Sequence, residues 1–134
     1  MFDAVHSGAT DRRIEGVEVL TRAALEATAV DVLGADGYLL GTPANLGYMS
    51  GALKHFFDQV YYPCIDSTVG RPYGCYLHGN SDTTGAARAI ETITTGLRWR
   101  LANPPLSVIG APTAHDLDDC RELGAVIAAG LSLA

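Results

Sequence analysis

The sequence predicts an α/β protein: a doubly wound parallel sheet with helices on both faces. Three observations predict it. Short strand-like runs alternate with segments of helical spacing, the order that βαβ units impose. The run Gly37-Tyr38-Leu39-Leu40 is apolar without polar alternation, as expected where helices cover both sheet faces. Glycine, proline, asparagine and serine punctuate the junctions between runs and helices, where turns and helix caps need them. The 134 residues suit one domain, 1–134, without linker, repeat or low-complexity tract.

The elements follow in order. Met1 to Ala9 carries Phe2, Val5 and Ala9 at helical spacing, with no strand before it. Val17-Glu18-Val19-Leu20, after Gly16, reads as a short strand. Thr28 caps a helix to Ala35, and Gly37 to Thr42 is the next strand. Ser50 caps a helix in which Leu53, Phe56, Phe57 and Val60 recur at i, i+3, i+4 and i+7, ended by Pro63. Pro72 to Gly79 is a strand. Asp82 or Thr83 caps a long helix from Thr84 to Arg98, with Ala87, Ile90, Ile93 and Leu97 on one face. Leu106 to Ile109 is the last strand, closed by Gly110 and Pro112. A final helix runs from about His115 to Leu131, its rhythm set by Leu117, Cys120, Leu123, Val126 and Ile127.

Composition excludes several classes of function. The formal charge of −6 and a single lysine, Lys54, leave no basic stripe for nucleic acid. The tract from Leu123 to Ala134 is broken by glycines and falls short of the ~20 residues of a membrane span. The N-terminal residues carry no basic leader with an apolar core. Three cysteines, Cys64, Cys75 and Cys120, are odd in number and lack C-x-x-C spacing, so they read as reduced thiols of a cytoplasmic protein.

The chemistry concentrates after the Gly37 strand. In Gly41 to Asp58 a strand feeds a loop of backbone-exposing residues, and a helix leaves it. That order sets main-chain N–H groups where a planar or anionic ligand can lie. Pro43 and Gly47 shape the loop, Thr42, Asn45 and Ser50 offer short polar side chains, and Leu46 or Tyr48 can cover an aromatic ring. An ordinary strand-to-helix turn with a serine cap accounts for the same residue types about equally well. A second loop, His78-Gly79-Asn80-Ser81-Asp82-Thr83-Thr84-Gly85, sits at the carboxyl end of the next strand, where open α/β sheets bind ligands.

Gly41-Thr42-Pro43 through Gly51, followed by Leu53-Lys54-x-Phe56-x-Asp58, resembles the loop of flavodoxin-like NAD(P)H-dependent flavin and quinone reductases. The resemblance is specific over these positions and compatible in element order elsewhere. It implies a flavodoxin-like fold, FMN as cofactor, NAD(P)H as co-substrate, a quinone or other small electron acceptor, and a homo-oligomer. It implies that Thr42, Pro43, Ala44, Asn45, Leu46, Gly47, Tyr48, Met49 and Ser50 wrap the flavin ring. His78, Gly79, Asn80 and Thr83 are then contacts at its other edge.

No catalytic side chain is assigned. Hydride transfer to a flavin needs no protein nucleophile, because the cofactor performs the chemistry. His78 has no carboxylate or nucleophile beside it in sequence. His115 with Asp116, Asp118 and Asp119 is explained by carboxylates at a helix start, not by a metal. Tyr61, Tyr62, Pro63 and Cys64 form an aromatic knot, read as a packed loop or as a lid or subunit contact. Trp99 is expected to pack at the foot of the long helix.

In the flavodoxin-like order the first strand is central, and its loop holds the cofactor phosphate. No residue of this chain supplies that strand or loop, so the domain reads as N-terminally incomplete, and an upstream extension would restore them. The expectation is a four-strand remnant sheet in which the Val17 strand moves beside the Gly37 strand or leaves a slot. Two alternatives to a reductase stay open: a flavodoxin-type electron carrier, and a truncated domain that does not retain FMN.

Overall fold

The computed structural model describes residues 1–133. Among these residues there are five helices and five strands. They are α1 (Phe2–Ala9), α2 (Ala29–Gly34), β1 (Tyr38–Asn45), β2 (Tyr48–Met49), α3 (Gly51–Cys64), β3 (Pro72–Gly79), α4 (Thr84–Leu97), β4 (Arg100–Leu101), β5 (Leu106–Ile109) and α5 (Ala114–Ser132).

β3 is the centre of the sheet. β1 lies parallel on one side, with Tyr38 opposite Tyr73 and Pro43 opposite His78. β4 and β5 lie parallel on the other side, opposite Pro72–Tyr73 and Tyr76–Gly79 respectively. They form one strand path broken at Pro104 and Pro105, which have no N–H to give to a ladder. Tyr73, Cys75 and Leu77 of β3 are buried.

Helices cover both faces. On one, Leu53, Phe56, Phe57 and Val60 of α3 and Ile90 and Leu97 of α4 pack with Tyr38, Leu40, Cys75 and Leu77. Trp99 anchors this core: it stacks on Tyr38 with ring centroids 4.1 Å apart and donates from Nε1 to Thr68 Oγ1 at 2.8 Å. On the other face α1 and α5 lie side by side. A Cβ on Gly8 would stand 1.8 Å from the Arg121 carbonyl oxygen, and one on Gly124 2.0 Å from that of Val5. Only glycine permits that approach.

Caps fix the helix starts. The Thr28 and Thr113 side chains accept from the backbone N–H groups of Asp31 and Asp116, whose carboxylates reach back to the cap N–H. This engagement holds the Asp116 carboxyl below its ordinary range. Thr113→Ala should cost about 1 kcal/mol in a thermal melt at neutral pH. A depressed carboxyl stabilises the fold above its unfolded pKa, and that contribution fades as pH falls through the folded value. The difference from the parent should therefore narrow in acid.

The structure corrects four expectations. The sheet has five strands, not four: 17–20 is not among them, and the short β2 and β4 are added where the chain turns back on β1 and where it runs beside β3 before Pro104. Residues 17–20 are not a strand: they carry no regular secondary structure, and no backbone hydrogen bond joins them to β1. Of the two arrangements expected for that segment, it leaves a slot. Pro63 lies inside α3, which continues to Cys64 before it stops, because the lost N–H weakens the last turn without ending it at once. Val126, expected on the apolar face of α5, is 38% exposed, while Leu123 and Ile127 are buried. Among the described residues no helix is long and apolar enough to cross a membrane.

Candidate functional site

Three loops meet at the carboxyl ends of β1, β3 and β5, where a parallel sheet opens toward ligand. The first is a β-hairpin that local sequence reading did not foresee. β1 and β2 pair antiparallel, Ala44 with Met49 and Asn45 with Tyr48, around a two-residue turn of Leu46 and Gly47. Both turn residues have positive φ, 49° and 75°, as a type I′ hairpin requires. Gly47 suits this. Leu46 does not, since the left-handed region costs a side-chain-bearing residue roughly 1–2 kcal/mol. Leu46 is nonetheless fully exposed at the tip. A strained, solvent-facing leucine is a mark of function more than of folding.

The hairpin is held from beneath. Thr42 is buried; its Oγ1 accepts from the Ser50 N–H at 2.9 Å and donates to the Pro43 carbonyl at 2.8 Å. Ser50 caps α3 by accepting from Leu53 N–H at 3.1 Å. Met49 faces the core at 2% exposure. Pro43, Asn45, Leu46, Gly47 and Tyr48 remain exposed, with Ala44 half-buried.

The β3–α4 loop touches the hairpin directly. A Cβ on Gly85 would stand 1.8 Å from the Gly47 carbonyl oxygen, and one on Gly79 3.4 Å from Ala44 Cβ. Thr83 is buried and its hydroxyl bonds that of Ser107, while Asn80 is exposed. Asp82 accepts from the backbone N–H and hydroxyl of Thr84, which holds its carboxyl low.

His78 lies half-buried and bridges to the third loop, donating from Nε2 to the Gly110 carbonyl at 2.7 Å. The Gly110 N–H in turn donates to the Gly79 carbonyl at 2.8 Å. His78 is thus a strut between loops.

The structure brings together the exposed hairpin tip, Gly79 and Asn80. It commits Thr42, Met49, Ser50 and Thr83 to holding that surface in shape. Sequence reasoning missed the third loop: Ile109, 49% exposed, and Gly110 to Thr113 complete the rim. Gly110 and Pro112 were legible only as a strand end.

No thiol serves here. Cys64, Cys75 and Cys120 are buried and free, and burial pushes all three up, Cys75 to about 11. His115 lies 3.5 Å from Asp119, and among the described residues no group of metal-binding side chains converges.

No family model matches the chain. It is 47% identical over 60 residues to a flavodoxin from Aquifex aeolicus strain VF5, a match spanning 45% of this chain and 31% of that protein. The chain therefore aligns with less than a third of that relative's length. Among solved structures it superposes on a flavodoxin from the domain Archaea with a TM-score of 0.82 at 17% identity, covering 98% of this chain and 87% of that one. A flavodoxin, WrbA-like protein from Agrobacterium tumefaciens gives 0.75 at 18% identity, over 98% and 86%. The mostly parallel sheet and its covering helices are those of the flavodoxin-like fold.

Proposed function

We propose that this chain is a flavin-binding redox domain whose three loops hold the ring of FMN. On this reading it passes electrons from NAD(P)H to a quinone or other small acceptor in the cytoplasm, as a homo-oligomer. The observation that carries the reading is the Leu46-Gly47 hairpin tip, strained and apolar, held against the β3–α4 loop. Leu46 and Tyr48 cover a ring face, while the loop backbone and Asn80 offer polar groups at its edge. The likeness to flavodoxins supports the same ligand. A bound flavin would supply the hydride chemistry; the protein holds and orients it.

The ring side fits better than the phosphate side. At α3, α4 and α5, first-turn N–H groups are already taken by Ser50, Asp82 and Thr113, and α4 and α5 carry Asp82 and Asp116 at their starts. Those carboxylates oppose a phosphate. The N-caps of α1 and α4, Met1 and Thr83, make no side-chain cap hydrogen bond. FMN and riboflavin should therefore bind this chain with similar affinity, followed by quenching of flavin fluorescence. A strong preference for FMN would show that a phosphate site exists. Binding of neither flavin would overturn the proposal. With flavin bound, NAD(P)H consumption dependent on a quinone separates a reductase from an electron carrier. Tyr62, 81% exposed near the end of α3, is the side chain offered to a second subunit, which sedimentation checks.

Leu46→Asn should separate folding from binding. Asparagine tolerates the left-handed conformation, so stability should rise by about 1 kcal/mol in urea titration. Flavin affinity should fall about tenfold, about 1.4 kcal/mol, as the apolar cover is lost.

A further inference from the structure

β3 separates two sides of the loop cluster. On one side the hairpin lies against the β3–α4 loop, with Ala44 beside Gly79 and the Gly47 carbonyl at Gly85. On the other side β5 pairs with β3, Gly79 opposite Ile109. Two strand spacings, about 10 Å, therefore part the hairpin stem from Ile109. Side chains alternate between the two faces of these strands. Tyr73, Cys75 and Leu77 enter the core under α3 and α4, while Tyr76 and Leu106 join the cluster under α1 and α5. Ser107 follows the first set, since its hydroxyl bonds that of Thr83 at the start of α4. Ile109, two residues on, takes the same face as the hairpin tip, and His78 and Val108 take the other.

The ledge that carries Ile109 is exposed, uncharged and held in a fixed shape. Ile109 is half-exposed although apolar. Both main-chain groups of Gly110 are committed: its N–H to the Gly79 carbonyl, and its carbonyl to His78 Nε2. Its φ of 76° suits glycine. The imidazole therefore braces the loop from the far face of the sheet and leaves the surface around Ile109 free. From Leu101 to Ala114 the chain has no aspartate, glutamate, lysine or arginine, against a net charge of −6 overall. Carboxylates stand to either side in the chain, Asp82 in the β3–α4 loop and Asp116 in the first turn of α5. An apolar ledge between carboxylates favours an uncharged group and repels an anion.

We infer that Ile109 receives the electron acceptor and selects an uncharged, apolar one over an anion, with His78 as the positioning residue that holds it there. Leu46 and Tyr48 cover the flavin ring from the hairpin side. The acceptor lies across the β3–α4 loop from them, against Ile109. His78 acts on it only through the Gly110 carbonyl. The inference rests on the flavin reading above and extends it from the cofactor to the second substrate.

The test loads the whole chain with FMN, reduces it with dithionite and mixes it without oxygen with naphthoquinone or naphthoquinone sulfonate. Two electrons and two protons pass to the quinone, giving the quinol and oxidised FMN. The readout is the ratio of the two rate constants, uncharged over anionic, relative to the same ratio for free reduced FMN. The parent ratio should be about tenfold or more, and Ile109→Lys should cut it about tenfold, because a cation there attracts the sulfonate. Leu101→Lys makes the same charge change at the far end of the uncharged stretch and should move the ratio less than about twofold. In the flavin-free chain His78→Phe should speed exchange of the Gly110 amide about tenfold. With FMN bound, it should cut the ratio about threefold. His78→Gln, which can donate to the same carbonyl, should restore both. A parent ratio near that of free FMN, equal effects of the two lysines, or faster Gly110 exchange with an unchanged ratio would each overturn the inference while leaving the flavin reading in place. A parent that binds no flavin overturns that reading and the inference with it.

Discussion

Gly85→Ala should lower stability and loosen flavin binding together, although glycine to alanine within a helix ordinarily stabilises by about 0.5–1 kcal/mol. The reason is a backbone obstacle. The new methyl group would stand 1.8 Å from the Gly47 carbonyl oxygen, so either the hairpin or the first turn of α4 must move. Overpacking of this kind costs about 1–3 kcal/mol. If the hairpin yields, Leu46 and Tyr48 leave the rim and flavin affinity falls by about tenfold, about 1.4 kcal/mol. Gly130→Ala is the control. Nothing lies within 4 Å of its added Cβ in α5, so the ordinary gain should appear there. Urea midpoints and flavin titrations of the two variants should move in opposite and in unequal ways. Equal behaviour would mean the loop–helix contact does not hold the site.

Trp99→Ala should be the most damaging substitution in the core, at about 3–5 kcal/mol. The indole is 6% exposed, stacks on Tyr38 and also meets Phe57 and Tyr73 at centroid distances of 6.4 and 6.1 Å. It therefore ties the starts of β1 and β3 to α3. Its removal also leaves the buried Thr68 hydroxyl, which donates to the Cys64 carbonyl at 2.9 Å, without the indole donor. Against a domain stability of roughly 5–15 kcal/mol the loss is a large fraction. Denaturant titration by circular dichroism measures it. Trp99→Phe, which keeps most of the apolar area but not the hydrogen bond, should lose much less.

Much of the fold was legible because its signals are local. The stripe Leu53, Phe56, Phe57, Val60 and the caps Thr28 and Ser50 act within one or two helical turns. The structure places each of these where its spacing requires. The candidate site was legible in part. Pro43 to Tyr48 and Asn80 could be named from residue type. That Thr42 and Thr83 turn inward could not, because their hydroxyl partners, the Ser50 N–H and the Ser107 hydroxyl, lie 8 and 24 residues away. The His78 strut to Gly110 spans 32 residues and was equally invisible.

The sequence by itself determined where the helices lie and which face α3 buries, because periodicity and capping are set by neighbours along the chain. Only the tertiary structure decided which strands pair. Val17 to Leu20 has a strand's composition, yet a ladder needs a second backbone within hydrogen-bonding distance, and a slot separates this segment from β1. The same holds for Leu46: its residue type argues against a turn, and only pairing of Ala44 with Met49 and of Asn45 with Tyr48 forces it into one.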